Sequence, residues 1–311
     1  MRTITAYFRF CPPQDVADPL ITVAEILDFR LPRRSVIQNV LATVFLIFLA
    51  AHASVVAATQ QVDHSAWDVL LHRYTSEGRV DYAALAESRS LPKVKAGLWD
   101  GPMEQAPGWM LLTTYLDALK AMDPAQLPSK EARLAFWINA YNACVFKGVL
   151  DHYSLKSVKD VKGFFDKVRY EVAGGSMTLN EIEAKGRALG DWRIHFGVVC
   201  GAWSCPPLRS EAYVPERVDA QLTDQVKRFL ADAARGQRLD VPGETWWVSK
   251  IFKWYAKDFI PNGQLNAERL FALLTPFLEP GTAQAIGREL TKDYVLHIRF
   301  LDYDWSLNAQ R

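Results

Sequence analysis

The chain of 311 residues lacks a charge of one sign: 36 Lys and Arg stand against 35 Asp and Glu, a formal net charge of +1. That balance lacks the strongly basic footprint of a nucleic-acid binder, so no nucleic acid is expected as a partner. It also lacks a dinucleotide fingerprint and a phosphate loop. Gly174-Gly175 is an isolated pair and reads as a turn. From about residue 59 onward there is no internal repeat, low-complexity tract or long linker. Charged residues make up only 23% and hydrophobic ones 50%. Such a chain can fill a core and is far from disorder. Ten tryptophans are many for this length. Core packing, membrane-interface anchoring and a ligand groove are the roles open to them.

One apolar run stands out, residues 36–58 (VIQNVLATVFLIFLAAHASVVAA), with Arg30, Arg33 and Arg34 just before it. A positive flank, an apolar core and small residues after it are what export machinery reads. Two forms are open: a signal peptide cut after small residues such as Ala53 or Ala58, or a retained transmembrane anchor. The expectation is a cytoplasmic or dispensable segment over 1–35, a leader or anchor over 36–58, and an exported domain over 65–308. That domain would be periplasmic or membrane-anchored, with the membrane as a partner through the N-terminal segment.

Helical spacing of apolar residues predicts helices over 65–74, 108–121 and 130–151. In the last, Leu134, Trp137, Ile138, Tyr141, Val145 and Val149 recur three and four apart. Residues 166–172 read as a strand ending in the Gly174-Gly175 turn. Thr178 and Glu181 have capping-box spacing at the head of a helix over 178–189. Residues 194–200 read as a buried strand followed by a sharp loop, 201–207. Further helices are expected over 216–234, 249–259 and 266–278, with strands at 245–248 and 295–301. The fold class is α/β or α+β: one helix-rich domain with a small central sheet, preceded by the hydrophobic segment.

Cys200 and Cys205 flank the sharp loop, and three chemistries fit them. Export would favour a disulfide. With His195 they offer metal ligands, though no fourth ligand is specified and the spacing matches no zinc pattern, so no metal or cofactor is assigned. Alternatively, Cys205 is a nucleophile with His195 as its base. The base then needs an orienting acceptor, from among Asn139, Asn142, Glu183, Asp302 and Asp304. The two asparagines, three apart on one helix face, would otherwise tie helix to loop backbone. Arg193 and Arg209 could bind an anionic group or pair with carboxylates. Cys144, inside the 130–151 helix, reads as a small buried hydrophobe.

Five stretches together resemble the family called domain of unknown function 547 (DUF547): 78–82 (GRVDY), 135–143 (AFWINAYNA), 194–209 (IHFGVVCGAWSCPPLR), 249–259 (SKIFKWYAKDF) and 300–308 (FLDYDWSLN). They span nearly all of residues 65–308. The resemblance carries no agreed reaction. It implies a histidine after the pair Ile182-Glu183, where this chain has Ala184. A likeness to papain-like or transglutaminase-like thiol folds would need a permuted order, because His195 precedes Cys205.

The functional expectation is a cysteine-dependent acyl-transfer or amide-hydrolysing enzyme, a thiol hydrolase of the cell envelope acting on a peptide-like or envelope compound. Its site would be Cys205, His195, and Asn142 or Glu183. The alternative is a non-catalytic envelope-binding or scaffold protein. There a Cys200–Cys205 disulfide fixes a recognition loop, and Trp203, Trp254 and Trp305 line a groove.

Overall fold

The structure, a computed structural model, describes residues 61–90, 99 and 101–310. The segments expected over 1–35 and 36–58 lie outside the described residues. Among the described residues no helix is long and apolar enough to cross a membrane. For the described residues, the transmembrane helix and the membrane partner expected from the sequence are corrected accordingly.

In chain order the elements begin with helix α1 (Ser65–Tyr74), the hairpin β1 (Thr75–Ser76) and β2 (Arg79–Val80), and helices α2 (Tyr82–Glu87), α3 (Gly108–Ala121) and α4 (Lys130–Asp151). A second hairpin, β3 (Arg169–Val172) and β4 (Gly175–Thr178), leads into α5 (Leu179–Arg187) and α6 (Ile194–Gly197). Then come α7 (Val218–Leu230), β5 (Gln237–Asp240), β6 (Thr245–Val248), α8 (Lys250–Trp254), α9 (Ala256–Phe259), α10 (Ala267–Leu274), α11 (Pro280–Glu289) and β7 (His297–Phe300).

Helix α4 organises the domain. Ser129 caps its start by accepting a hydrogen bond from the Ala132 amide, at 3.0 Å. Beyond the first turn the helix is buried on nearly every side, as an all-round apolar helix must be. It packs against α3 and α5. The capping box at Thr178 and Glu181 forms as its spacing predicts. The hairpin β3–β4 docks on α3, with the Ala173 amide donating to the Leu119 carbonyl at 3.0 Å.

Among the described residues the expected small central sheet is replaced by three separate small ones, of two, two and three strands. The largest runs β5-β6-β7, with β5 antiparallel and β7 parallel to β6. A second correction falls on residues 194–200. Ile194–Gly197 is a helical turn, and only the residues after it are extended. An all-apolar run of this length is buried either way, so its periodicity does not distinguish strand from helix. The stretch 249–259 likewise divides at Tyr255 into α8 and α9.

Buried apolar residues form two clusters within the unit Thr59–Arg311. The first surrounds α4 and includes Trp67, Phe146 and Cys205. The second gathers Phe196, Phe229, Trp246, Phe252 and Leu270. Tyr303 packs against both.

Candidate ligand cleft

The loop after α6 is held from several directions. Asn142, on α4, donates from Nδ2 to the Gly197 carbonyl at 2.9 Å and accepts the Val199 amide on Oδ1 at 2.8 Å. Its amide thus satisfies two buried backbone groups where the chain leaves the helical turn. Gly201 follows with φ +83°, a conformation that suits glycine, and a Cβ there would press on Val158. Cys200 and Cys205 are joined in a disulfide that closes this loop. The Arg79 and Arg235 guanidiniums both lie over the Trp203 ring, 4.1 and 4.7 Å from its centre. Segment 301–310 runs alongside. The Trp203 amide donates to the Ser306 carbonyl at 2.7 Å, and the Asn308 amide to the Gly201 carbonyl at 2.9 Å.

The disulfide forms part of a cleft of about 380 Å³. That volume lies in the range of small-molecule sites. Trp254, Tyr303 and Trp305 make one wall. Their ring centres lie 4.8 Å (Trp254 to Tyr303), 4.7 Å (Tyr303 to Trp305) and 5.9 Å (Trp254 to Trp305) apart. The Tyr303 hydroxyl stands 3.1 Å from the Cys205 Sγ and 3.4 Å from the Cys200 Sγ. The polar lining comes from Asp166, from Asn180 and Glu183 on α5, and from His195 on α6.

His195 is almost fully buried. Its Nε2 lies 2.8 Å from Asp258 Oδ2, and its ring centre lies 4.0 Å from that of Tyr255. Arg187 grips Asp258 in turn, at 2.7 Å to Oδ2 and 3.1 Å to Oδ1. Burial pushes the His195 pKa down to about 4, against the pull of Asp258, so the ring is neutral at pH 7. The hydrogen bond from Arg187 holds Asp258 below the usual carboxylate range. Glu183 goes the other way. Burial raises its pKa, and the Tyr255 hydroxyl and Arg187 only partly offset this.

The cleft therefore brings together Cys205, Cys200, His195 and Glu183, all singled out from the sequence. Both sulfurs are spent in the disulfide, so the free Cys205 thiol of the nucleophilic expectation is not present in this state. Asn142 is engaged with backbone and does not orient His195. Asn139 makes the equivalent tie to Tyr213, donating to its carbonyl at 2.7 Å and accepting its amide at 3.0 Å. The partner of His195 is Asp258, which the sequence did not reveal. Its only signal was its place in the 249–259 motif.

Asp302 is exposed, 3.7 Å from Lys250. Asp304 accepts the Ser306 amide at 2.8 Å. Arg193 pairs with Asp191 and Asp219, and Arg209 with Glu211 and Asp224. Neither arginine lines the cleft. Trp254 and Trp305 do line it, and Trp203 does not. Ala184, beside Glu183, points away to an exposed position. Cys144 is buried as a free thiol, its pKa raised by desolvation. Among the described residues, no group of three or more His, Cys, Asp or Glu is placed to hold a metal ion.

No curated protein and no solved structure matches the chain. A family does match, over residues 124–230, the segment that carries α4, α5, α6, the disulfide loop and α7. That segment, which supplies Glu183, His195 and both cysteines of the cleft, matches the family described as protein of unknown function, DUF547.

Proposed function

We propose that the domain is a non-catalytic binding module, whose cleft takes a small ligand and whose recognition loop is braced by the Cys200–Cys205 disulfide. One observation carries this reading. The two sulfurs are bonded to each other at the same cleft that Trp254, Tyr303 and Trp305 wall. A closed disulfide removes the nucleophile and leaves a braced, largely aromatic concavity. We further propose that residues 65–308 act as one domain outside the cytoplasm, since structural disulfides persist in oxidising compartments.

Alkylation under native, non-reducing conditions tests the reading. Iodoacetamide should leave Cys200 and Cys205 unmodified until a reductant is added, as mass mapping of the peptides would show. Rapid labelling of Cys205 in the native protein would overturn it.

A second reading has one observation in its favour. His195, neutral and held by Asp258, lies in the same cleft as Cys205. After reduction such a pair could serve a Cys205 thiol as base and orienter, in acyl transfer or amide hydrolysis. Thiol labelling that appears on reduction and is slowed by His195→Gln would support this reading.

A further inference from the structure

The charges at the cleft are of one sign. Asp166 stands exposed at one edge, while Glu183 is 9% exposed. Among the described residues no Lys or Arg lines the cleft, and neither carboxyl makes an ion pair. Arg187, whose charge reaches Glu183, is already committed to Asp258 through both carboxylate oxygens. An anionic ligand would meet these carboxyls with no cation in the lining to receive it. A neutral ring would cover the aromatic wall and give the buried Glu183 carboxyl no counter-charge, which is costly for a buried ionisable group.

The aromatic wall points the same way. The faces of Trp and Tyr attract cations, more so where water is excluded. The fold already uses this contact twice beside the cleft. The Lys159 ammonium sits 4.1 Å from the Trp305 ring centre, and the Arg187 guanidinium 4.8 Å from that of Tyr255. A volume of about 380 Å³ has room for a charged head and a short stem.

We propose that the cleft binds a primary amine carried on an apolar or aromatic stem. The ammonium pairs with the carboxyl groups of Asp166 and Glu183, and the stem lies on Trp254, Tyr303 and Trp305. This rests on the binding-module reading and gives it a ligand class.

The test uses three probes of one shape on the oxidised full chain at pH 7: 2-phenylethylamine, 2-phenylethanol and 2-phenylacetate. Binding is followed by calorimetry and by the fluorescence of the cleft tryptophans. The amine should bind saturably, the alcohol at least tenfold more weakly, and the carboxylate not at all. Asp166→Asn, at an exposed position, should weaken the amine about tenfold and leave the alcohol unchanged. Trp254→Ala should weaken amine and alcohol alike. Equal affinity for amine and alcohol, or an amine affinity untouched by Asp166→Asn, would overturn the amine assignment while leaving a binding cleft in place. Failure of all three probes would also overturn it. The alkylation experiment then decides separately whether the binding-module reading falls too.

Discussion

His195 on α6 and Asp258 on α9 meet across 63 positions of sequence, Nε2 to Oδ2 at 2.8 Å, and so join the α5–α6 region to the second core cluster. Arg187 completes the chain of contacts from α5. Asp258 is partly exposed, so the arrangement is worth less than a fully buried ion pair. Asp258→Asn should destabilise the fold by about 2 kcal/mol, because it leaves Arg187 without its counter-charge and weakens the bond to the imidazole. Urea denaturation of the variant beside the parent checks this. A change below about 0.5 kcal/mol would show that the contact is incidental.

Asn142→Ala removes the partners of two backbone groups in a region without access to water. The expected cost is about 2–4 kcal/mol, dominated by the orphaned Val199 amide and Gly197 carbonyl. Hydrogen exchange at Val199 should accelerate well beyond the change at α4. Unchanged protection there would mean that another group takes over the bond.

Gly78, with φ +77°, turns the β1–β2 hairpin directly against Pro207 of the disulfide loop. A Cβ would be strained by the backbone and would collide with Pro207. Gly78→Ala should cost at least about 2 kcal/mol. A thermal midpoint equal to the parent's would refute the close approach.

Stability should depend on pH through the histidines. Burial pushes both His64 and His195 from 6.5 down to about 4. Between those values the unfolded chain binds protons that the folded chain refuses. Their contribution is complete above about pH 6.5 and is lost as pH falls through about 4, up to about 3 kcal/mol for each. Glu183, raised by burial, acts in the opposite sense and offsets part of the loss. Urea midpoints measured from pH 7.5 to 4 should therefore fall steadily. A flat profile would show that the two rings are accessible to protons in the folded state.

The parts of the fold that could be read from the sequence were those with local causes. Helices α1, α3 and α4 fall on the predicted bounds because apolar spacing is clear and, at Ser129, a cap fixes the start. The capping box of α5 was legible for the same reason. The turn at 194–197 was not, since a short apolar run is buried in either conformation. Strand β5 and helix α11 were missed. Gln237–Asp240 is polar at three of its four positions, and Pro280–Glu289 buries only Ile286 and Glu289, so neither shows a strong pattern.

For the site, sequence identified the loop and its chemistry-bearing residues but not their partners. Cys205, His195 and Glu183 do share a cleft. Asp258 is joined to His195 only by tertiary packing, and the aromatic wall combines α8 with a segment about 50 positions further on, so neither leaves a local trace. Asn142 shows the reverse case: a polar residue in an apolar helix resembles a catalytic group and proves to be a backbone clamp.

The strand-like segment 301–310 sets an order on how the molecule is made. It bonds to Val80, Lys156, Gly201 and Trp203, and the side chain of Asn308 accepts from the Tyr82 hydroxyl 226 positions earlier. Every one of those partners leaves the ribosome before it. Tyr303 and Trp305 are made after all of those partners, so the cleft begins as an open half and gains these two rings of its wall later. Such long-range closure is slow relative to helix formation, which places completion of the cleft after the helices in folding.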